Sequence, residues 1–159
     1  THDYIRHGTL TLFAALHYLE GKLITTIAER HRHQEWLAFL KKIHRETPKE
    51  LAIHLIADNY ATHKHPEVKA WLAKHPRFHM HFTPTSSSWL NLVERFFRDV
   101  TDRIADGSFA SVKELADTII AYLADRNQNP KRYVWKAKGE DILRKIQKAR
   151  QAMLQQRVA

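Results

Sequence analysis

An almost unbroken apolar run from Leu51 to Ala57, interrupted only by His54, constrains the fold of this chain most strongly. Such a run is typical of a strand that is buried on both faces of a parallel sheet. Parallel strands cannot be joined by a tight turn, so the chain between them crosses over, usually as a helix. The run therefore predicts an α/β fold in which His54 is a core residue.

The neighbouring segments alternate between strand and helix patterns. Residues 9–18 and 22–27 are rich in strand formers, and Glu20 and Gly21 between them predict a hairpin turn. Apolar spacing and capping residues predict helices from about His33, Pro66, Ser88, Ser111 and Glu140, and a strand with one buried face over residues 78–82. The predicted order is strand, strand, helix, strand, helix, strand and then three helices.

The basic excess is concentrated toward the C-terminal end. The formal charge of the 159 residues is +9, and residues 126–159 contribute +8 of it, with ten basic residues against two acidic ones. A nearly neutral body with a basic tail suits contact with a nucleic-acid backbone, although a solvated basic helix has the same composition. Residues 127–130 are the most plausible linker, which divides the chain into a core (1–126) and a basic helical extension (127–159).

Composition excludes several classes of protein. The chain has no cysteine, so it has no disulfide, thiolate zinc site or cysteine nucleophile, and a reducing cytosol is permitted. No apolar run approaches the roughly 20 residues that span a bilayer. We therefore expect a cytoplasmic protein with no membrane partner.

Two acidic residues lie where they could share a metal ion. Asp58 is the first polar residue after the apolar run, at the strand end where open α/β sheets place ligands. Glu94 lies beside the apolar stripe of a predicted helix, in a polar row with Asn91 and Arg98. Carboxylates bind Mg²⁺ or Mn²⁺, and a pair of such ions could activate a water or 3′-hydroxyl at a phosphodiester. A turn or helix cap at Asp58 and an exposed Glu94–Arg98 ion pair are the alternatives.

Two separated motifs resemble the catalytic core of bacterial insertion-sequence transposases of the mariner-like DDE group. They are the segment from Asp58 to Lys64, and Phe82–Pro84 followed by Ser88–Glu94. Asp58 and Glu94 are 36 positions apart, close to the usual separation in that group, and residues 30–35 also match. The resemblance covers roughly residues 1–135.

The resemblance implies a ribonuclease-H-like mixed sheet flanked by helices. It also implies divalent-metal-dependent DNA strand cleavage and strand transfer at transposon ends. Asp58 would match the second acid of the catalytic triad and Glu94 the third, both as catalytic residues and as ligands of Mg²⁺ or Mn²⁺. The first acid has no counterpart, because Asp3 falls in a predicted connecting segment. Since the chain also begins at Thr1, we expect the C-terminal part of a transposase that cleaves poorly on its own.

The initial strand of the family also has no counterpart in this chain. By the resemblance, that strand is central and pairs with the hairpin on one side and with the strand ending at Asp58 on the other. Its loss leaves a gap in the sheet, and exposed strand edges recruit other strands. We therefore expect either a shifted pairing within the chain or an intermolecular pairing, as in a homodimer.

The candidate DNA contacts follow Asp58 directly or belong to basic segments. They are Asn59, Tyr60, His63, Lys64, Arg98, Lys131, Arg132, Lys136 and Lys138. The implied partner is double-stranded DNA, both transposon ends and target, bound at the nucleoid of a bacterium. A non-catalytic DNA-binding or dimerisation fragment with vestigial acids is one alternative. A histidine metal site, with His63 and His65 or His79 and His81, is another.

Overall fold

The structure, a computed structural model, describes residues 8–84, 92–134 and 139–158. Its elements in chain order are β1 (Thr11–Leu16), β2 (Leu23–Ala28), α1 (His33–Glu46), β3 (Ile53–Ala57), a 3₁₀ turn (Ala61–Lys64), α2 (Pro66–Ala73), β4 (Phe78–Phe82), α3 (Val93–Ile104), α4 (Val112–Gln128) and α5 (Gly139–Val158). The predicted α/β class and the order of the elements are confirmed. The helix start predicted at Ser88 lies outside the described residues.

Strands β1 and β2 form an antiparallel hairpin that pairs Thr11 with Ala28 and Leu16 with Leu23. Gly21 in the connection has a φ of +72°, a conformation that costs glycine little. A Cβ at this position would also lie 2.6 Å from the carbonyl oxygen of Lys131. The predicted turn is confirmed, and both backbone conformation and space favour glycine there.

The hairpin is buried on both faces because side chains alternate along its strands. Phe13 contributes to a first core cluster, which also contains Trp36, Phe39, Leu40, Ile43, Ile53, Ala57, Val68 and Phe78. Leu23 contributes to a second core cluster, which also contains Leu92, Phe96, Val100, Ile119, Leu123 and Tyr133. The hairpin thus joins the β3–β4 layer, with α1 and α2, to helices α3 and α4.

Strands β3 and β4 pair in parallel, with Ile53 opposite Phe78. Only one face of this pair is buried, since Ala57 is 7% exposed whereas Ile56 is 60% exposed. His54 lies on the exposed face and stacks on the ring of His79. The prediction that both faces are buried and that His54 is a core residue was wrong, because this two-stranded layer packs through one face and leaves the other in solvent.

The four strands form two separate sheets in the described ranges, β1–β2 and β3–β4. Each strand there has a single strand partner, so each has one edge outside the pairing. The shifted pairing that we considered from the sequence does not occur between the described strands. The gap predicted between the hairpin and β3 is present in this part of the chain.

Arg77 links the end of α1 to the start of β4. Its Nη1 donates to the carbonyl oxygens of Pro48 at 2.6 Å and Leu51 at 3.1 Å. Its Nη2 donates to the carbonyl oxygen of His44 at 2.8 Å and to Oγ1 of Thr47 at 2.9 Å. Nδ1 of His44 accepts from Nε of Arg77 at 3.2 Å, which requires that nitrogen to be unprotonated. Burial and the positive charge of Arg77 accordingly lower the pKa of His44.

Specific hydrogen bonds fix both ends of α4. Ser111 Oγ accepts from the amide of Glu114 at 3.1 Å, which confirms the predicted cap. At the other end, Asn127 Oδ1 accepts from the amide of Leu23 at 2.9 Å, and its Nδ2 donates to the Leu23 carbonyl at 3.0 Å. Asn127 therefore attaches α4 to β2 and does not belong to a linker as the sequence predicted.

The chain continues as helix across the predicted domain boundary. Residues 126 and 127 both lie in α4, so no break in secondary structure marks this position. The division of the chain into two domains stays a prediction. Helix α5 follows as a basic helix of 20 residues, with Leu143 and Leu154 exposed. No helix in the described ranges combines the length and apolar character needed to cross a membrane.

Acidification should destabilise the fold in part through His44. Because the pKa of His44 is lowered in the folded state, its contribution is present above the ordinary pKa and is lost as the pH falls through the folded pKa. An asparagine side chain at this position would place a non-titrating Oδ1 near the position of Nδ1, so His44→Asn should lose less stability between about pH 7.5 and about pH 5. Urea unfolding midpoints measure this loss, with His79→Asn on the exposed face as control. Equal losses in wild type and His44→Asn would contradict this account of the His44 contact.

Candidate metal centre and nucleic-acid interface

Asp58 lies directly after β3 with its carboxylate turned outward. Its side chain is 54% exposed, and Oδ1 lies 3.2 Å from Nδ1 of His63. The carbonyl oxygen of Asp58 lies at the same distance, 3.2 Å, from that nitrogen. The capping alternative does not hold for α2, because its N-cap is His65. His63 therefore contacts Asp58 through both its carboxylate and its backbone carbonyl, and the Asp58 side chain stays half exposed.

His63 is buried, whereas most of its neighbours along the chain are exposed. It is 5% exposed, and its ring stacks on Trp36 with the centroids 3.8 Å apart. Burial lowers the pKa of His63, although its hydrogen bond to Asp58 and the negative charge there act in the opposite direction. A neutral ring must carry its proton on Nδ1 to bond Asp58, because both groups of Asp58 are acceptors. This burial favours a role for His63 in positioning Asp58 over direct contact with DNA.

The other residues predicted beside Asp58 are on the surface. Asn59, Tyr60 and Lys64 are all exposed. The Tyr60 ring lies 5.0 Å from that of His31, and Nζ of Lys64 lies 4.8 Å from the ring centroid of Phe82. Tyr60 and Lys64 thus contact aromatic residues close to the end of β3.

Glu94 lies in the first turn of α3, which Phe96 anchors in the second core cluster. Although much of the residue is exposed, partial burial of the carboxyl group and the negative charge of Asp58 raise the pKa of Glu94. The charge of Asp58 therefore acts on the Glu94 carboxyl group, although burial is the larger cause of the shift. The alternative ion pair between Glu94 and Arg98 does not occur in the described part of the chain.

The donor chemistry at Asp58 and Glu94 suits a hard divalent ion. Two carboxylates in mutual repulsion supply oxygen ligands, and a cation near them removes the repulsion that raises the pKa of Glu94. Asp58 is the one charged neighbour that contributes to this shift among the described residues. Asp3, the early acid considered from the sequence, lies outside those residues.

A basic cavity lies further along α3. Its volume is about 400 Å³, and it is lined by Arg95, Arg98, Asp99, Lys131, Arg132, Tyr133 and Val134. Three of the predicted DNA contacts, Arg98, Lys131 and Arg132, thus come together. Arg95, which no sequence pattern indicates as a DNA contact, also lines the cavity, and its Nη1 donates to the Val134 carbonyl oxygen at 2.8 Å. Lys136 and Lys138 lie outside the described residues.

A buried polar cluster holds the wall of this cavity. The Tyr133 hydroxyl donates to Asp99, and Nη2 of Arg126 donates to the same hydroxyl at 2.7 Å. Burial and the hydrogen bond to Asp99 raise the pKa of Tyr133. Burial opposes ionisation of Asp99, but hydrogen bonds from Tyr133 and Lys131 outweigh it and lower the pKa of that carboxyl. The cluster therefore keeps the 131–134 segment against α3 and α4.

Helix α3 connects the acidic and basic parts of the surface. Glu94 and Arg98 are four residues apart and so lie on one face of this helix. The basic cavity therefore begins one helical turn from the paired acids. This arrangement can hold an ion next to a polyanion, which is the requirement of metal-dependent chemistry on a phosphodiester.

Three comparisons relate the chain to known proteins. Residues 1–116 match the family model described as DDE superfamily endonuclease. An insertion element IS630 uncharacterized 39 kDa protein of Shigella sonnei is 32% identical over 93 residues, which are 58% of this chain and 27% of that protein. The crystal structure of the catalytic core domain of BIV integrase matches with a TM-score of 0.54 and 18% identity over 82% of each chain. The ribonuclease-H-like fold predicted by the resemblance is confirmed.

Proposed function

Since this chain belongs to the DDE superfamily of endonucleases, we propose that it is the nuclease part of an insertion-sequence transposase. The proposed reaction is divalent-metal-dependent cleavage of DNA strands at transposon ends, followed by strand transfer into target DNA. The placement of the two acids supports this proposal. Asp58 follows β3, Glu94 lies on the helix that also lines the basic cavity, and the charge of Asp58 acts on Glu94.

Asp58 and Glu94 would hold Mg²⁺ or Mn²⁺. When bound, such an ion favours ionisation of a water or 3′-hydroxyl and neutralises charge at the scissile phosphate. His63 contacts one oxygen of Asp58 and would limit the rotation of this carboxylate when an ion binds. The partial burial of Glu94 removes water around its carboxyl group and strengthens its attraction to a cation.

The basic cavity would bind the backbone of double-stranded DNA. Arg95, Arg98 and Arg132 place guanidinium groups at its lining, and guanidinium binds phosphate through paired hydrogen bonds. Asn59, Tyr60 and Lys64 would extend this contact past the acids to the other side of the reacting phosphate. Lys136 and Lys138 stay predicted contacts of the same kind.

The chain spans only 27% of the length of the Shigella sonnei relative, so the complete reaction is proposed for a longer protein. Within this proposal the chain alone binds an ion but cleaves poorly, because its acid pair lacks a third member. A second copy of the chain would pair with one of the strand edges that have no strand partner in the two described sheets. Both copies would lie in a bacterial cytoplasm. A non-catalytic DNA-binding fragment is the alternative, since the basic cavity does not depend on the acids.

Magnesium binding separates these two functions. Asp58→Asn and Glu94→Gln should each weaken Mg²⁺ binding by roughly tenfold or more, because each removes one of two charged ligands. Calorimetric titration with Mg²⁺ measures this, since imidazole groups compete poorly for that ion. Asp102→Asn, an exposed acid on the same helix, is the matched control and should bind as the wild type does. Mg²⁺ binding indifferent to both changes would leave the non-catalytic fragment.

The salt dependence of DNA binding tests the cavity. The slope of log Kobs against log salt concentration is negative, and Arg98→Ala and Arg132→Ala should each reduce its magnitude by about 0.9, the value for one lost phosphate contact. Fluorescence anisotropy with a labelled duplex at several salt concentrations measures the slope. Lys113→Ala is the control, because Lys113 is exposed and pairs with Asp117 away from the cavity. Equal slopes in all four proteins would show that DNA binds elsewhere.

A further inference from the structure

A group of possible metal ligands lies where the first turns of α1 and α2 meet. His33 is the first residue of α1, His65 is the N-cap of α2, and Glu67 lies in the first turn of α2. Their ligand atoms all lie within 4.8 Å of one another, and no other group of three among the described residues does so. None of the three belongs to the acid pair at Asp58 and Glu94.

The contacts within this group are close. Nε2 of His33 lies 3.2 Å from Oε2 of Glu67. The imidazole rings of His33 and His65 stack with centroids 3.5 Å apart and planes 4° from parallel. The His33 side chain is 20% exposed and that of Glu67 is 64% exposed. Two imidazoles and a carboxylate thus converge from two helices, and an ion can enter from the carboxylate side.

Ordinary structural needs do not account well for this cluster. The close parallel stack of His33 on His65 places two imidazole donors side by side where two helices begin. The cap that His65 supplies is long, since its Nδ1 accepts from the amide of Glu67 at 3.2 Å. Asn or Ser would cap α2 as well without a second histidine above it.

We propose that His33, His65 and Glu67 form a binding site for a divalent ion of the Zn²⁺ class. Two imidazole nitrogens and one carboxylate oxygen are a known zinc donor set that leaves the fourth position for water. Imidazole favours Zn²⁺, Co²⁺, Ni²⁺ and Cu²⁺ over Mg²⁺, so this site and the acid pair select different ions. On binding, the rings turn out of their parallel stack so that both electron pairs meet at the ion, which replaces the contact between His33 and Glu67.

The proposed ion would crosslink two elements that support Asp58. Trp36, one turn after His33 in α1, stacks on His63. The 3₁₀ turn that carries His63 leads directly into α2 at His65. An ion between the two helix starts would fix the base of the Asp58 site without contacting substrate. Binding to the folded state alone would also raise the Tm.

Zinc titration of the untagged chain tests the proposal. Calorimetry should give one tight equivalent of Zn²⁺, with affinity lowered at least about tenfold in His33→Ala, His65→Asn and Glu67→Gln. Asparagine at position 65 retains a side chain that caps α2, so loss of binding there is not a loss of the helix. The Tm of each protein without metal checks that it is folded. His79→Ala is the control, because His79 belongs to the other exposed histidine group, with His54 and His81.

The outcomes separate this site from the proposed function. Zn²⁺ binding that persists in Asp58→Asn/Glu94→Gln and disappears in the three variants would support the site even if the acid pair binds no Mg²⁺. Unchanged Zn²⁺ affinity in His33→Ala and Glu67→Gln would overturn it. If His79→Ala lost Zn²⁺ binding while the three site variants kept it, the proposal would also be overturned, because the ion would then bind on the face of β3 and β4.

Discussion

Burial of one hairpin on both faces is the constraint on which the rest of this structure depends. Strand β1 places Phe13 in the first core cluster and Leu12 against the second, so the two clusters share a wall two strands wide. Asp58 follows a strand of the first cluster, and Glu94 lies on a helix of the second. The hairpin therefore sets how the two acids approach each other. A substitution that thins this wall, such as loss of the Phe13 ring, should act on the proposed metal site as well as on stability.

Buried side chains support the exposed charged groups of both candidate sites. In the acid pair, the exposed Asp58 contacts the buried His63. The basic cavity is built in the same way, since Tyr133 and Arg126 are buried behind the exposed arginines. The charged groups to which we assign ligand binding are thus held by buried groups. Such support would limit reorganisation on binding an ion or a phosphate, as the proposed function requires.

Local patterns predicted the parts of this fold that depend on neighbours in the chain. The turn at Gly21, the start of α2 at Pro66, the cap at Ser111 and the exposed end of β3 at Asp58 all follow from adjacent residues. The exposure of His54 could not be predicted, because it depends on which face of β3 another layer covers. Arg95 in the basic cavity and the meeting of His33 with Glu67 depend on contacts between helices distant in sequence. The family resemblance supplied the approach of Asp58 and Glu94, which neither acid indicates alone.

The pKa of Glu94 reports directly whether the charge of Asp58 acts on the Glu94 carboxyl group. Carbon-detected NMR titration of the Glu94 carboxyl group, without divalent ions, should give a pKa above its ordinary value. In Asp58→Asn the pKa should fall but stay above that value, because the burial of Glu94 remains after the charge is removed. Asp102→Asn should leave it unchanged. An ordinary pKa for Glu94 that does not respond to Asp58→Asn would contradict the claim that the fold brings the two acids together.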